Sequence, residues 1–155
     1  MPGAGYPATV AECLDGRMRY RRGVVAAVRA FKGERPWRGG LEARQAKFAR
    51  LNAALANAYG LSEPVLRFEG IPSRGSGSFS GASTCRRGAP GEPAVITMRG
   101  RLSVVTYLHE FAHALGRDER DACRWSVNLF RRVFPEQFAR LRMDGHTLRG
   151  TNTRR

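Results

Sequence analysis

His109-Glu110-Phe111-Ala112-His113, continued by Ala114-Leu115-Gly116-Arg117-Asp118-Glu119, is the stretch on which the reading of this chain turns. The pattern is H-E-x-x-H-x-x-G-x-x-E. In a helix, positions i and i+4 stand one above the other on the same face. Both imidazoles then face one point where a single metal ion can take them, with Glu110 beside them. The flanks carry helical periodicity. Val105, Leu108, Ala112 and Leu115 fall on an apolar face, and Thr106, His109, Glu110 and His113 on the opposite one. Gly116 offers a left-handed C-terminal turn that other residues adopt only at a cost. A helix is therefore predicted from Ser103 to Leu115.

A catalytic zinc takes three protein ligands and keeps a fourth position for water. His109 and His113 supply two. The nearby candidates for the third are Asp118, Glu119 and Asp121, with the remaining histidine, His146, farther downstream. Asp118 sits where an N-cap would open the next helix, and Asp121 suits the reciprocal half of a capping box. Glu119, in the first helical turn and pointing back toward the metal, is the choice that spacing favours. Zinc lowers the pKa of a bound water from 15.7 toward about 7 and polarises a carbonyl. Glu110, too far along the helix to ligate together with both histidines, is the natural proton carrier between water and leaving amine. A structural zinc site fits less well, because such sites are mostly closed and Cys-rich, and no cysteine lies at ligand spacing. His146 reads as a satisfied core histidine or, alternatively, as an electrophile for a tetrahedral intermediate.

The stretch from about Ile96 to Pro135 resembles the catalytic core of HExxH zinc metallopeptidases of the zincin clan, and within it the small gluzincin-like enzymes of the ImmA/IrrE type. Ile96-Thr97-Met98, then Ser103 to Leu115, then Glu119 to Phe134 match their order of strand, metal helix and glutamate helix. Glu119-Arg120-Asp121-Ala122, running on to Phe134-Pro135, is similar to the E-x-[ED]-A opening and Pro-terminated end of that glutamate helix. The resemblance implies His109 and His113 as zinc ligands, Glu110 as the base and Glu119 as the third ligand. Two features depart from it. The step from His113 to Glu119 is short for a thermolysin-like gluzincin and equals the ligand spacing of metzincins, yet the setting of Met143 is a poor match to a Met-turn. The likeness covers roughly 40 residues, and the region before about residue 45 matches no family pattern.

At 155 residues with 42% hydrophobic and 26% charged residues, the composition is that of a soluble globular domain with a sizeable core. No basic-then-apolar leader and no membrane-length apolar run is visible, so the expected location is cytoplasmic. Cys13, Cys85 and Cys123 are odd in number and scattered, which argues against a disulfide framework and a zinc ribbon. Cys123 reads as a core residue. Cys85 reads as a loop thiol, with a metal-reaching latency switch as the alternative. The net charge of +14 is carried by 25 Arg and 2 Lys. A field of that size attracts polyanions, so non-specific nucleic acid is a possible partner, although no sequence-reading motif accompanies it.

Along the chain, residues 8–32 read as one or two short basic helices, Glu34 to Gly40 as a turn-rich linker containing Trp37, and Leu41 to Tyr59 as a helix closed by Gly60. Val65 to Glu69 and Pro93 to Met98 read as strands, with a loop or hairpin from Gly70 to Ser83 between them. The second strand is expected at a sheet edge above the metal, where an extended peptide could pair with it. On that expectation Ile96→Pro cripples cleavage and leaves the helices folded. The helix from Glu119 to Phe134 buries Ala122, Trp125, Leu129 and Val133. A further helix spans Glu136 to Met143, and the tail from Thr147 carries no structure at its end.

The expected architecture is α+β: a compact zincin-like domain with a small antiparallel or mixed sheet packed on the active-site helix, and additional helices around it. Residues 1–40 are assigned to a basic N-terminal extension, 41–146 to the metallopeptidase-like domain and 147–155 to a basic tail. The expected activity is zinc-dependent hydrolysis of peptide bonds in a protein or peptide substrate. The alternatives are a nucleic-acid-binding or regulatory protein that retains the core, and a DNA-recruited SprT-like protease. Nothing in the sequence fixes the oligomeric state.

Overall fold

A computed structural model describes residues 9–70, 83–145 and 147–150. The loop expected between Gly70 and Ser83, residue His146 and the last five residues fall wholly or mainly outside that description. Among the described residues the order is α1 (Val10–Cys13), α2 (Val24–Gly33), α3 (Leu41–Tyr59), β1 (Val65–Glu69), β2 (Thr84–Arg86), β3 (Val95–Arg99), α4 (Val104–Ala114), α5 (Glu119–Val133), α6 (Pro135–Ala139), β4 (Leu141–Asp144) and β5 (Thr147–Gly150). The class is α+β, as the sequence predicts. No helix among these residues is long and apolar enough to cross a membrane.

The helices follow from their apolar spacing. In α3, Phe48, Leu51, Asn52, Leu55 and Ala56 form one buried stripe, and Gly60 closes it at φ +64. Val24, Val28 and Phe31 of α2 join that stripe, so the stretch expected as an N-terminal extension shares one core with residues 41–134. The centre is Trp125 of α5. It is fully buried, stacks on Phe111 at 6.0 Å and donates its Nε1–H to the Tyr59 hydroxyl at 3.1 Å. Trp37 packs edge-on against Phe134 at 6.1 Å while remaining half exposed. The short helix α1 is pinned to α5. Asn128 accepts from the Asp15 N–H and donates to the Cys13 carbonyl, each at 2.7 Å, and Cys13 Sγ lies 2.7 Å from Cys123 Sγ.

The three-stranded sheet has the order β1-β3-β2, with β1 parallel and β2 antiparallel to β3. This corrects two expectations. Cys85 lies in strand β2 opposite Ile96, not in a loop. Strand β3 is the centre of the sheet, not its edge. Its run Ile96-Thr97-Met98 is buried, as a strand paired on both sides requires. The strand nearest the H-E-x-x-H helix on the outer side is β2, and among the described residues it pairs with β3 alone. Three residues of strand carry too little pattern to be seen in sequence.

A third correction concerns the C-terminal part. The helix expected over Glu136 to Met143 stops at Ala139, and Leu141–Asp144 pairs antiparallel with Thr147–Gly150 as a hairpin. Thr147 to Gly150 thus belongs to a strand instead of opening the tail.

Helix α4 is held from several sides. Tyr107, Leu108, Phe111 and Ala112 are fully buried, and the Tyr107 hydroxyl donates to Asn52 Oδ1 at 2.7 Å. Asn52 in turn donates to the Pro64 carbonyl at 2.8 Å, which ties α3, α4 and the lead into β1 together. Burial therefore extends further round α4 than the expected apolar stripe.

Two stability predictions follow. Ile96→Pro puts a residue without an N–H into a central, doubly paired strand, where proline is not tolerated, and should destabilise the fold strongly. Contrary to the edge-strand expectation, it should abolish cooperative urea unfolding and native circular dichroism; a native-like transition would contradict the central placement. Asn52→Ala leaves the Tyr107 hydroxyl and the Pro64 carbonyl unpaired. It should lower stability by about 1–3 kcal/mol in the same measurement.

Candidate metal centre

The site is built on the turn between α4 and α5. Helix α4 starts at Ser103, whose hydroxyl accepts from the Thr106 N–H, and it ends in a Gly116 turn at φ +94. The Gly116 N–H reaches the His113 carbonyl at 2.9 Å and the Arg117 N–H reaches that of Ala112 at 3.2 Å, the paired bonds of a Schellman close. Two residues later Asp118 caps α5 by accepting from the Asp121 N–H at 2.8 Å. Asp118 thus takes the capping role read from the sequence, and the same cap engages the backbone of Asp121. Glu119, first in α5, is turned back onto α4.

There its carboxylate meets both histidines. Glu119 Oε2 lies 3.1 Å from His109 Nε2, and Oε1 lies 3.0 Å from His113 Nε2. The imidazole rings are 4.8 Å apart and nearly perpendicular. One donor atom from each of the three residues lies within 4.8 Å of the others, a group that could hold a metal ion.

The hydrogen bonding bears on whether a cation fits. His113 Nδ1 lies 2.9 Å from the Arg117 carbonyl, which can only accept, so Nδ1 carries the proton. In the neutral ring the Nε2 lone pair then faces a carboxylate oxygen. Two acceptors facing each other at 3.0 Å are favourable only with a proton or a metal cation between them. Burial pushes His109 below its ordinary pKa, against the protonated form, although Glu119 pulls the other way. Two imidazole nitrogens and one carboxylate, with one ring anchored by a backbone carbonyl, are a donor set suited to a catalytic metal.

Glu110 is 8% exposed. Burial raises its pKa to about 7, with His113 opposing and Glu119 reinforcing the shift. The sequence places Glu110 on the polar face of α4, and the structure adds that it is the buried residue of that face, with Thr106, His109 and His113 partly exposed. The cleft above the site has a volume of 540 Å³, and Thr84, Cys85, Arg87 and Arg117 line it with the motif residues. Cys85 is half-buried, and burial, then Glu110, push its thiol up to about 11. It stands outside the three-donor group, so that grouping gives no support to a latency switch. None of these lining residues was singled out from sequence as part of the site except Cys85. The strand that brings them is short, and an arginine in so Arg-rich a chain carries no distinguishing signal.

Compared with protein-family models, with curated proteins and with solved structures, the chain gives no match in any of the three.

The geometry brings Glu119, and not Asp121, into the group with the two histidines. Glu119→Ala should weaken zinc binding by more than the 10–100-fold typical of an outer-shell loss, measured by competition with a chromogenic chelator. Asp121→Ala should leave the affinity within about twofold, because only its backbone N–H is engaged in the cap. Equal affinities for Glu119→Ala and the unaltered protein would contradict the assignment.

Proposed function

We propose that this chain is a zinc metallopeptidase of the zincin type, hydrolysing peptide bonds in a protein or peptide substrate. The observation that carries the reading is the convergence of His109, His113 and Glu119, with the buried carboxyl of Glu110 on the same helical turn. Zinc suits two imidazoles and a carboxylate, and when bound it supplies Lewis acidity that polarises a carbonyl and acidifies water.

The chain's own groups perform the rest. His109 and His113 would hold the ion through Nε2, and Glu119 through its carboxylate. The Arg117 carbonyl keeps the His113 ring in the tautomer that presents Nε2. Glu110 takes the proton released by the attacking water and passes it to the leaving amine nitrogen, so that the amine departs neutral. Burial raises the pKa of the Glu110 carboxyl to about 7 before any ion is bound, the direction that suits a group that must both accept and return a proton. Strand β2 borders the cleft through Thr84 and Cys85 and takes over the peptide-pairing role that the sequence reading gave to the strand at Ile96.

Glu110→Gln tests this assignment, since it keeps shape and hydrogen bonding and removes the basic site. Peptide hydrolysis should fall by about 10²–10⁴-fold, while zinc content stays at that of the unaltered protein. Loss of zinc together with activity would make Glu110 a ligand. Undiminished hydrolysis would remove it from the mechanism.

A further inference from the structure

Arg87 stands at the mouth of the cleft. It follows strand β2, and its guanidinium lies over the Gly116 turn: a Cβ on Gly116 would meet Arg87 Nη1 at 3.0 Å. The absence of a side chain at Gly116 therefore both closes α4 and seats Arg87 beside the metal group. Arg87 also lines a second, 730 Å³ hollow bounded by Leu61, Pro64, Pro93, Ala114 and Leu115, so it forms the partition between that hollow and the cleft.

The loop that carries it is braced. Glu92 Oε1 accepts from the Ala89 N–H at 3.1 Å, and the Glu92 N–H donates to the Ala89 carbonyl at 2.9 Å. A Cβ on Gly88 would sit 2.9 Å from the Glu92 Cβ, so the close approach depends on glycine. The bracing engages the acid nearest in sequence. The Glu119 carboxylate faces the two histidines instead. Arg87 is not among the groups that move the Glu110 carboxyl. Among the described residues, Arg87 makes no hydrogen bond or ion pair. Arg117, the residue after Gly116, lines the same cleft, and its Nε–H is buried without an acceptor among them. The Arg87 guanidinium therefore lies over the Gly116 turn at the cleft, with no acceptor among the described residues.

We propose that Arg87 selects a substrate with an acidic side chain next to the scissile peptide bond. A carboxylate matches the planar fork of a guanidinium in a way that an amide does not. The inference rests on the peptidase reading and names the substrate class of that site. Arg87 is a specificity residue in it: it touches the substrate and not the reacting atoms.

The test is binding to zinc-loaded Glu110→Gln protein, in which turnover is suppressed. The probes are fluorescent, end-blocked octapeptides in which a single Glu, or its isostere Gln, is moved through an otherwise neutral sequence. Fluorescence anisotropy at 0.15 M salt should show about fivefold tighter binding of the Glu peptide at one or two positions. That ratio should fall to near one when Arg87→Gln is added. It should survive Arg29→Gln, which removes the same charge from an exposed site on α2. Circular dichroism and zinc content check that both variants are folded and loaded. Three results would overturn the proposal: no Glu preference at any position, a preference that survives Arg87→Gln, or one lost equally in Arg29→Gln. Absence of peptide binding by zinc-loaded protein would overturn it too. Failure of the unaltered protein to take up zinc would instead strike the peptidase reading beneath it, and it is measured separately.

Discussion

The turn at Gly116 is the constraint on which the rest of the site depends. Six positions separate His113 from Glu119, and within them the chain must end one helix, reverse and begin another. A left-handed residue at Gly116, the two Schellman bonds and the Asp118 cap fix that path without slack. The helices on either side are anchored by fully buried residues, Leu108, Phe111 and Ala112 on one and Ala122, Trp125 and Leu129 on the other. Glu119 is therefore placed by the packing of two helices and not by the flexibility of a loop. Positioning by rigid elements is what a metal or catalytic group requires.

The electrostatics of the same place run against folding taken alone. A carboxylate faces two ring nitrogens, one of which presents a lone pair, and Glu110 is buried with its pKa raised. Elsewhere two buried asparagines pair with separate elements: Asn52 joins Tyr107 to Pro64, and Asn128 joins Cys13 to Asp15. Local electrostatic conflict of this kind is what marks a cluster as a candidate functional site. A cation between the three donors resolves the conflict, and any ion that binds only the folded chain also stabilises it.

Much of this was legible in the residues. Helix α3 runs from Leu41 to Tyr59 as its apolar spacing and Gly60 require, and α5 begins after an aspartate cap and ends before Pro135. The grouping of His109, His113 and Glu119 follows from helical periodicity and one glycine. What could not be read was tertiary. Nothing local tells Ile96 that it lies between two partner strands, or Thr84-Cys85-Arg86 that it forms a strand at all, since pairing partners are set by the whole fold. Leu141 to Asp144 continues a helical pattern, yet it leaves the helix because a hairpin with Thr147–Gly150 satisfies its backbone. Arg87 escaped notice for another reason. Its distinction is its seat over Gly116, and a one-dimensional sequence of many arginines does not display that.

The measurement that tests the central claim most directly is zinc K-edge X-ray absorption on protein loaded with one equivalent of zinc. The account predicts a first shell of nitrogen and oxygen at about 2.0–2.2 Å, with the outer-shell scattering of two imidazoles and no sulfur. The imidazole signal should be lost or halved in His113→Ala. A sulfur shell near 2.3 Å, or a spectrum of zinc bound to water alone, would contradict it.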